Sequence, residues 1–214
     1  MTAHREPDSA LLDLARAIVD DDAALARRLL AASPELAHAV FGQGATRQSP
    51  NSYYLERIGY HIYAGATALH VAAAAHRTDV AQALLALGAN VRAKNRRGAE
   101  PLHAAAVGAP GSRTWNPPAQ SATVACLIER GADPNAVDKS GVTPLHRAVR
   151  MRCAAAVKSL LGGGADAGRK NMNGSTPMLL ALLTTGRGGA GSAEAKAQQN
   201  EILRLLEQHG PARS

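Results

Sequence analysis

The sequence predicts an all-α fold in which pairs of short helices stack in a row, and three observations carry that prediction. The first is a period. Gly65 opens GATALHVAA and Gly98 opens GAEPLHAAA, 33 residues apart; Gly141 opens GVTPLHRAV and Gly174 opens GSTPMLLAL, again 33 apart. Fixed self-similarity at this spacing marks stacked supersecondary units. The second is punctuation. Each unit starts a helix at Thr67–Ala68, Glu100–Pro101, Thr143–Pro144 or Thr176–Pro177. A threonine oxygen can cap a helix, and proline at the first helical position gives up an N–H that had no partner. Each unit ends its second helix with an apolar pair (Leu84–Leu85, Leu127–Ile128, Leu160–Leu161, Leu205–Leu206) and a glycine (Gly88, Gly131, Gly164, Gly210) that can turn the chain left-handed. The third is composition: 214 residues hold one Phe, one Trp and four Tyr. A globular α/β enzyme of this size usually carries more aromatics; thin helix pairs with Ala at close contacts need fewer.

Taken in order, residues 1–8 are polar and are expected to fray. Apolar spacing starts at Ser9, with Asp8 or Ser9 as cap and Leu11, Leu12, Leu14, Ile18 and Val19 on one side. Asp20, Asp21 and Asp22 interrupt it and suit the start of a second helix facing inward through Leu25, Leu29 and Leu30. Residues 9–40 therefore read as a capping repeat. Residues 41–64 do not fit the period, yet they contain Phe41 and all four tyrosines, Tyr53, Tyr54, Tyr60 and Tyr63. Such aromatics either pin an insertion to the stack or offer a contact surface, and pinning is favoured because a long loop without a core is rarely left loose. Repeats follow at 65–97, 98–140, 141–173 and 174–210, then a short tail, 211–214. Two repeats are too long: Gly88 to Gly131 spans 43 residues and Gly164 to Gly210 spans 46. The surplus falls between the two helices of each, at Val107–Gln120 and Thr184–Gln198.

The TPLH core, recurring as TALH, EPLH, TPLH and TPML, and the ends GANVRA, GADPNA, GADAGR and QHGPAR resemble the ankyrin repeat. The resemblance covers Gly65–Gly210 well and 9–40 loosely. It implies an ankyrin repeat solenoid with short β-hairpin fingers, one capping repeat plus four repeats with three insertions. It also implies binding to another protein and no catalysis. The departures are Leu179 in place of the histidine, Glu100 in place of the threonine, and the insertions. The Ala- and Arg-rich usage suggests a bacterial chain.

Charge is uneven. Residues 1–40 hold seven acids and four bases, whereas the whole chain is +7, so the remainder is +10. A basic body favours acidic partners, anionic ligands or nucleic acid, or is simply a solvated surface. The basic residues gather in the expected fingers, Arg92, Lys94, Arg96 and Arg97, then Arg169 and Lys170. Arg147 and Arg150 follow TPLH, on the side that the ankyrin pattern turns toward the concave groove, where guanidinium groups suit carboxylates. Trp115 is a candidate interface anchor or packs back on the stack edge.

Other chemistry is weaker. His70, His103 and His146 occupy one place in successive repeats, about 10 Å apart, whereas a shared metal needs ligands within about 2.1 Å of one ion. They read as structural, bonding to backbone at the finger entry. Cys126 sits among apolar residues, and Cys153 lies seven residues after His146 without an orienting third group or oxyanion site. Gly186–Gly191 satisfies G-x-G-x-x-G but follows a helix instead of a strand. Gly186, Arg187, Gly188, Gly189 and Ser192 could at most hold an anion beside a helix start.

The expected function is a non-catalytic adaptor that binds an acidic partner protein through basic fingers and groove, without cofactor or metal. A small anionic ligand or phosphate binder built on the insertion loops is the alternative. Nucleic-acid binding comes third, because the aromatics do not alternate with the bases as a stacking platform requires. No segment reaches the ~20 apolar residues of a membrane helix. Two scattered cysteines without a signal pattern read as reduced thiols in a cytoplasm, and the chain is expected to be a monomer.

Overall fold

The structure, a computed structural model, describes residues 7–46, 48, 51–110, 112, 115–183 and 193–210. Ten α-helices are assigned among them, in five pairs: α1 (Pro7–Val19) with α2 (Ala23–Ala32), α3 (Ala68–Ala74) with α4 (Thr78–Ala86), α5 (Pro101–Ala105) with α6 (Pro117–Glu129), α7 (Pro144–Arg150) with α8 (Ala154–Gly162), and α9 (Pro177–Leu182) with α10 (Ala193–His209). α1 begins at Pro7, two residues before the apolar spacing starts. The first helices form one layer, α1 on α3, α3 on α5, α5 on α7 and α7 on α9. The second helices form the other, α2 on α4, α4 on α6, α6 on α8 and α8 on α10. The leucine of each TPLH-type core, Leu69, Leu102 and Leu145, is fully buried between the layers, as are Leu84, Leu127 and Leu160 of the second helices.

The fingers are tight turns, each closed by a cross-turn bond, Asn95 N to Ala99 O at 3.1 Å, Asp138 N to Val142 O at 3.0 Å, and Asn171 N to Ser175 O at 3.0 Å, with the glycine N–H returning to the same residue's carbonyl. The side chain of the same residue stiffens each turn. Asn95, Asp138 and Asn171 each accept two backbone N–H groups, from the residues two and four positions on. Successive fingers are then tied by Arg96 N to Ala64 O at 2.6 Å, Lys139 N to Arg97 O at 2.9 Å and Met172 N to Ser140 O at 3.1 Å. Close approach at these ties requires glycine. At Gly141 the backbone is left-handed, φ +69°, and a Cβ would stand 2.9 Å from Met172 N.

The one sheet assigned among the described residues lies in the first insertion. β1 (Tyr54–Leu55) pairs antiparallel with β2 (Tyr60–His61), with Tyr54 opposite His61 and Leu55 opposite Tyr60. The insertion is pinned, as its aromatics predict. Phe41 and Ile62 are fully buried, and Tyr53, Leu55, Ile58 and Tyr60 pack against the main core. Phe41 N bonds Ala66 O and Gly65 N bonds Phe41 O, each at 2.8 Å. Tyr54 is the ring left to solvent, 39% exposed.

Candidate binding groove

The three histidines are structural, and their bonds say why. A carbonyl only accepts, so Nε2 must be the protonated nitrogen in each ring. It donates to the next repeat: His70 to Ala99 O, His103 to Val142 O and His146 to Ser175 O, all at 3.0 Å. Nδ1 then accepts the N–H of the helix cap residue, Thr67 at 3.1 Å, Glu100 at 3.1 Å and Thr143 at 3.3 Å. Both nitrogens are engaged, and no lone pair is left for a metal. Burial pushes His70 down to about 4 and His103 down to about 3, so both stay neutral. His76 adds a tie that the sequence does not advertise, with Nε2 shared between Ala105 O and Val107 O at 3.1 Å each.

Neither cysteine is placed for catalysis. Both are buried. Burial pushes the Cys153 thiol up to about 11, against a Gln120 hydrogen bond that lowers it.

The basic finger residues are largely engaged within the chain. Glu100, in the cap position, is 1% exposed and takes the His103 N–H as threonine would. Its longer side chain puts the carboxylate under the preceding finger, 3.8 Å from Arg92 Nε and 3.9 Å from Lys94 Nζ. Burial raises its pKa, with Arg92 and Lys94 opposing. Arg92 also reaches Asp133 at 3.2 Å. Arg96 donates to Ala45 O at 2.8 Å, and Arg97 donates to the Tyr63 hydroxyl at 3.0 Å with its guanidinium 5.1 Å from that ring's centre. Arg147 donates to Asp138 at 2.8 Å, where the carboxylate is 7% exposed. Lys139, adjacent in sequence, is therefore not the partner of Asp138. Arg150, Arg169 and Lys170 remain exposed.

The groove is partly filled by the chain itself. Burial pushes the hydroxyl of Tyr60 in β2 up to about 12, with the Arg147 charge on α7 opposing. The hairpin tip, Glu56–Tyr60, faces the ends of the first helices across a cavity of about 520 Å³. Ala74, Ala104 and Met151 stand on the helix side, and Val107, Gly108 and Trp115 of the second insertion on the third. Trp115 is half-buried and donates Nε1–H to Gln120 at 3.3 Å, so it packs back on the stack edge. Arg57, at the tip, reaches Asp20 at 3.3 Å in the turn after α1. Arg150 and Leu183, one period apart, line a smaller pocket of about 50 Å³. The proposed anion loop, Gly186, Arg187, Gly188, Gly189 and Ser192, lies outside the described residues.

Two family models match this chain, "Ankyrin repeats (many copies)" over residues 127–181 and "Ankyrin repeat" over residues 64–96. The chain carries ankyrin repeats. Among curated proteins, it is similar to mouse (Mus musculus) ankyrin repeat and SOCS box protein 16, 39% identical over 118 residues, which is 54% of this chain and 25% of that protein. It is 29% identical to human (Homo sapiens) ankyrin repeat and SOCS box protein 6 over 155 residues, 67% of this chain and 35% of that one. A shorter stretch of 56 residues is 46% identical to mouse 2-5A-dependent ribonuclease, covering 26% of this chain and 8% of the ribonuclease. The chain thus spans a third or less of the length of most of these relatives, and the likeness lies in the repeats. Ankyrin repeats are generally protein–protein interaction modules, and typically not catalytic. No helix among the described residues is long and apolar enough to cross a membrane.

Proposed function

We propose that this ankyrin repeat chain is a non-catalytic adaptor that binds an acidic segment of another protein along the α7–α9 half of its groove. The carrying observation is the distribution of free space and free charge. The hairpin at 54–61 lies over the ends of α3 and α5, and Arg92, Arg96, Arg97 and Arg147 are engaged by the chain's own groups. Beyond the hairpin, Arg150, Arg169 and Lys170 are exposed, and α9 adds half-exposed Leu182 and Leu183. A carboxylate-bearing segment with apolar residues between its acids matches that surface. On this reading Trp115, Arg92, Lys94, Arg96 and Arg97 shape the groove from behind, and the repeats divide at 65, 98, 141 and 174.

The test is affinity capture from the source cell with the native chain and with Arg150→Glu, Arg169→Glu and Lys170→Glu combined. Proteins captured by the native chain are expected to be lost from the triple variant and to be released by moderate salt. Undiminished capture by a triple variant of native helicity would remove the groove assignment. Arg147 is left intact because its loss would remove the guanidinium paired with the buried carboxylate of Asp138.

A further inference from the structure

We propose that the cavity between the hairpin tip and the second insertion is a binding site for a small organic cation, an ammonium group carried on an apolar body. Its volume, about 520 Å³, falls in the range of small-molecule sites, about 300–1,000 Å³. The site is built by features that interrupt the repeat pattern: the first insertion supplies Ile58 and Tyr60, and the second supplies Val107 and Trp115. Its helix side is kept low by Ala74, Ala75 and Ala104. Gly108 is needed where it stands, since a Cβ there would lie 2.9 Å from Trp115 Nε1 and 3.0 Å from Cys153 Sγ. With its N–H given to Gln120, the indole meets the cavity as an apolar ring.

Charge selects the ligand class. The two arginines at the wall are neutralised, Arg77 by Asp21 at 3.0 Å and Arg57 by Asp20 at 3.3 Å. Glu56 also lines the cavity, is exposed, and makes no ion pair among the described residues. Three carboxylates against two guanidinium groups leave one negative charge on a chain that is +7 overall. An anion would find no unpaired arginine here. A cation finds the Glu56 carboxylate together with the indole of Trp115 and the phenol of Tyr60 in the lining.

Trp115 is the sole tryptophan of the chain, so its fluorescence reports on this site alone. The full chain is titrated with benzyltrimethylammonium chloride at constant ionic strength, with benzoate and benzyl alcohol as the anionic and neutral comparisons. The expected result is a saturable change for the ammonium, none for benzoate, a weaker response to benzyl alcohol, and an affinity for the ammonium reduced roughly fivefold in Glu56→Gln. Glu56 is exposed, so this variant keeps the fold, which the circular dichroism spectrum checks. The proposal is overturned by a linear response up to about 10 mM, where even millimolar binding would saturate. Benzyl alcohol binding as tightly as the ammonium, or unchanged affinity in Glu56→Gln, also overturns it.

Discussion

Lowering the pH from 8 to 5 should destabilise this protein by several kcal/mol through its buried histidines. His70 and His103 are wholly buried, and they hold back protonation until about pH 4 and about pH 3. In the unfolded chain both titrate near 6.5. The folded values lie below the unfolded ones, so the unfolded state takes up protons first as the pH falls. Their stabilisation is complete above 6.5 and is lost progressively below it, down to the folded values. At pH 5, about 1.5 below the unfolded value, each ring costs about 2 kcal/mol, and the two together about 4 kcal/mol. That is a large part of a stability of ~5–15 kcal/mol. His76 and His146 are lowered in the same direction and add to the loss. Glu100 works the other way, because a raised carboxyl favours the folded state as it protonates, and stopping at pH 5 limits its contribution. The assay is equilibrium urea unfolding at pH 8, 6.5 and 5, followed by circular dichroism. His103→Gln is the control. A glutamine can accept from Glu100 N–H and donate to Val142 O without titrating, so the loss should fall from about 4 to about 2 kcal/mol. A native chain that loses less than about 1 kcal/mol over this range, or His103→Gln with undiminished pH dependence, would refute the reasoning.

Two further outcomes follow from burial and backbone. Native protein at pH 8 should leave Cys126 and Cys153 unmodified by a thiol-specific chromogen, with both reacting in denaturant; rapid native labelling of Cys153 would contradict its burial and raised pKa. Gly141 and Gly174 share one backbone conformation, φ +69° and +75°, but only Gly141 has the next finger above it. Gly174→Ala should therefore cost about 1–2 kcal/mol from strain alone. Gly141→Ala should cost at least about 1 kcal/mol more in urea unfolding, and equal costs would show that the finger yields freely.

The stacked architecture was legible because its determinants are local and periodic. Thr143, Pro144 and His146 lie within one helical turn, and Gly141 and Gly174 repeat at a fixed interval. The histidines could be read as structural for the same reason: one place repeated in successive units cannot converge on one ion. The groove was harder. Arg57 finds Asp20 across 37 residues, Arg97 finds Tyr63 across 34 and Arg96 finds Ala45 across 51. Such pairs leave no trace in a linear pattern, so Arg96 and Arg97 looked available when their donors were already committed. The hairpin was hidden too, since strands of two residues are too short to alternate. The tight turns also carried a missed signal: Asn95, Asp138 and Asn171 stand three residues before Gly98, Gly141 and Gly174, and their side chains close each finger.

A row of repeats ordinarily behaves as a linear chain of links, each coupled only to its neighbours and open to removal or duplication. The first insertion changes that arithmetic here. Its tip meets the turn after α1 through Arg57 and Asp20, while Ala45 and Tyr63 hold Arg96 and Arg97 of the finger before α5. Links that are not neighbours are bridged by one strap, so opening the α3–α4 unit between them also breaks the strap's contacts. This turns a sum of local stabilities into a closed circuit: the segment from α1 to α5 should melt as one cooperative block, with the pair α9–α10 outside it and free to fray on its own.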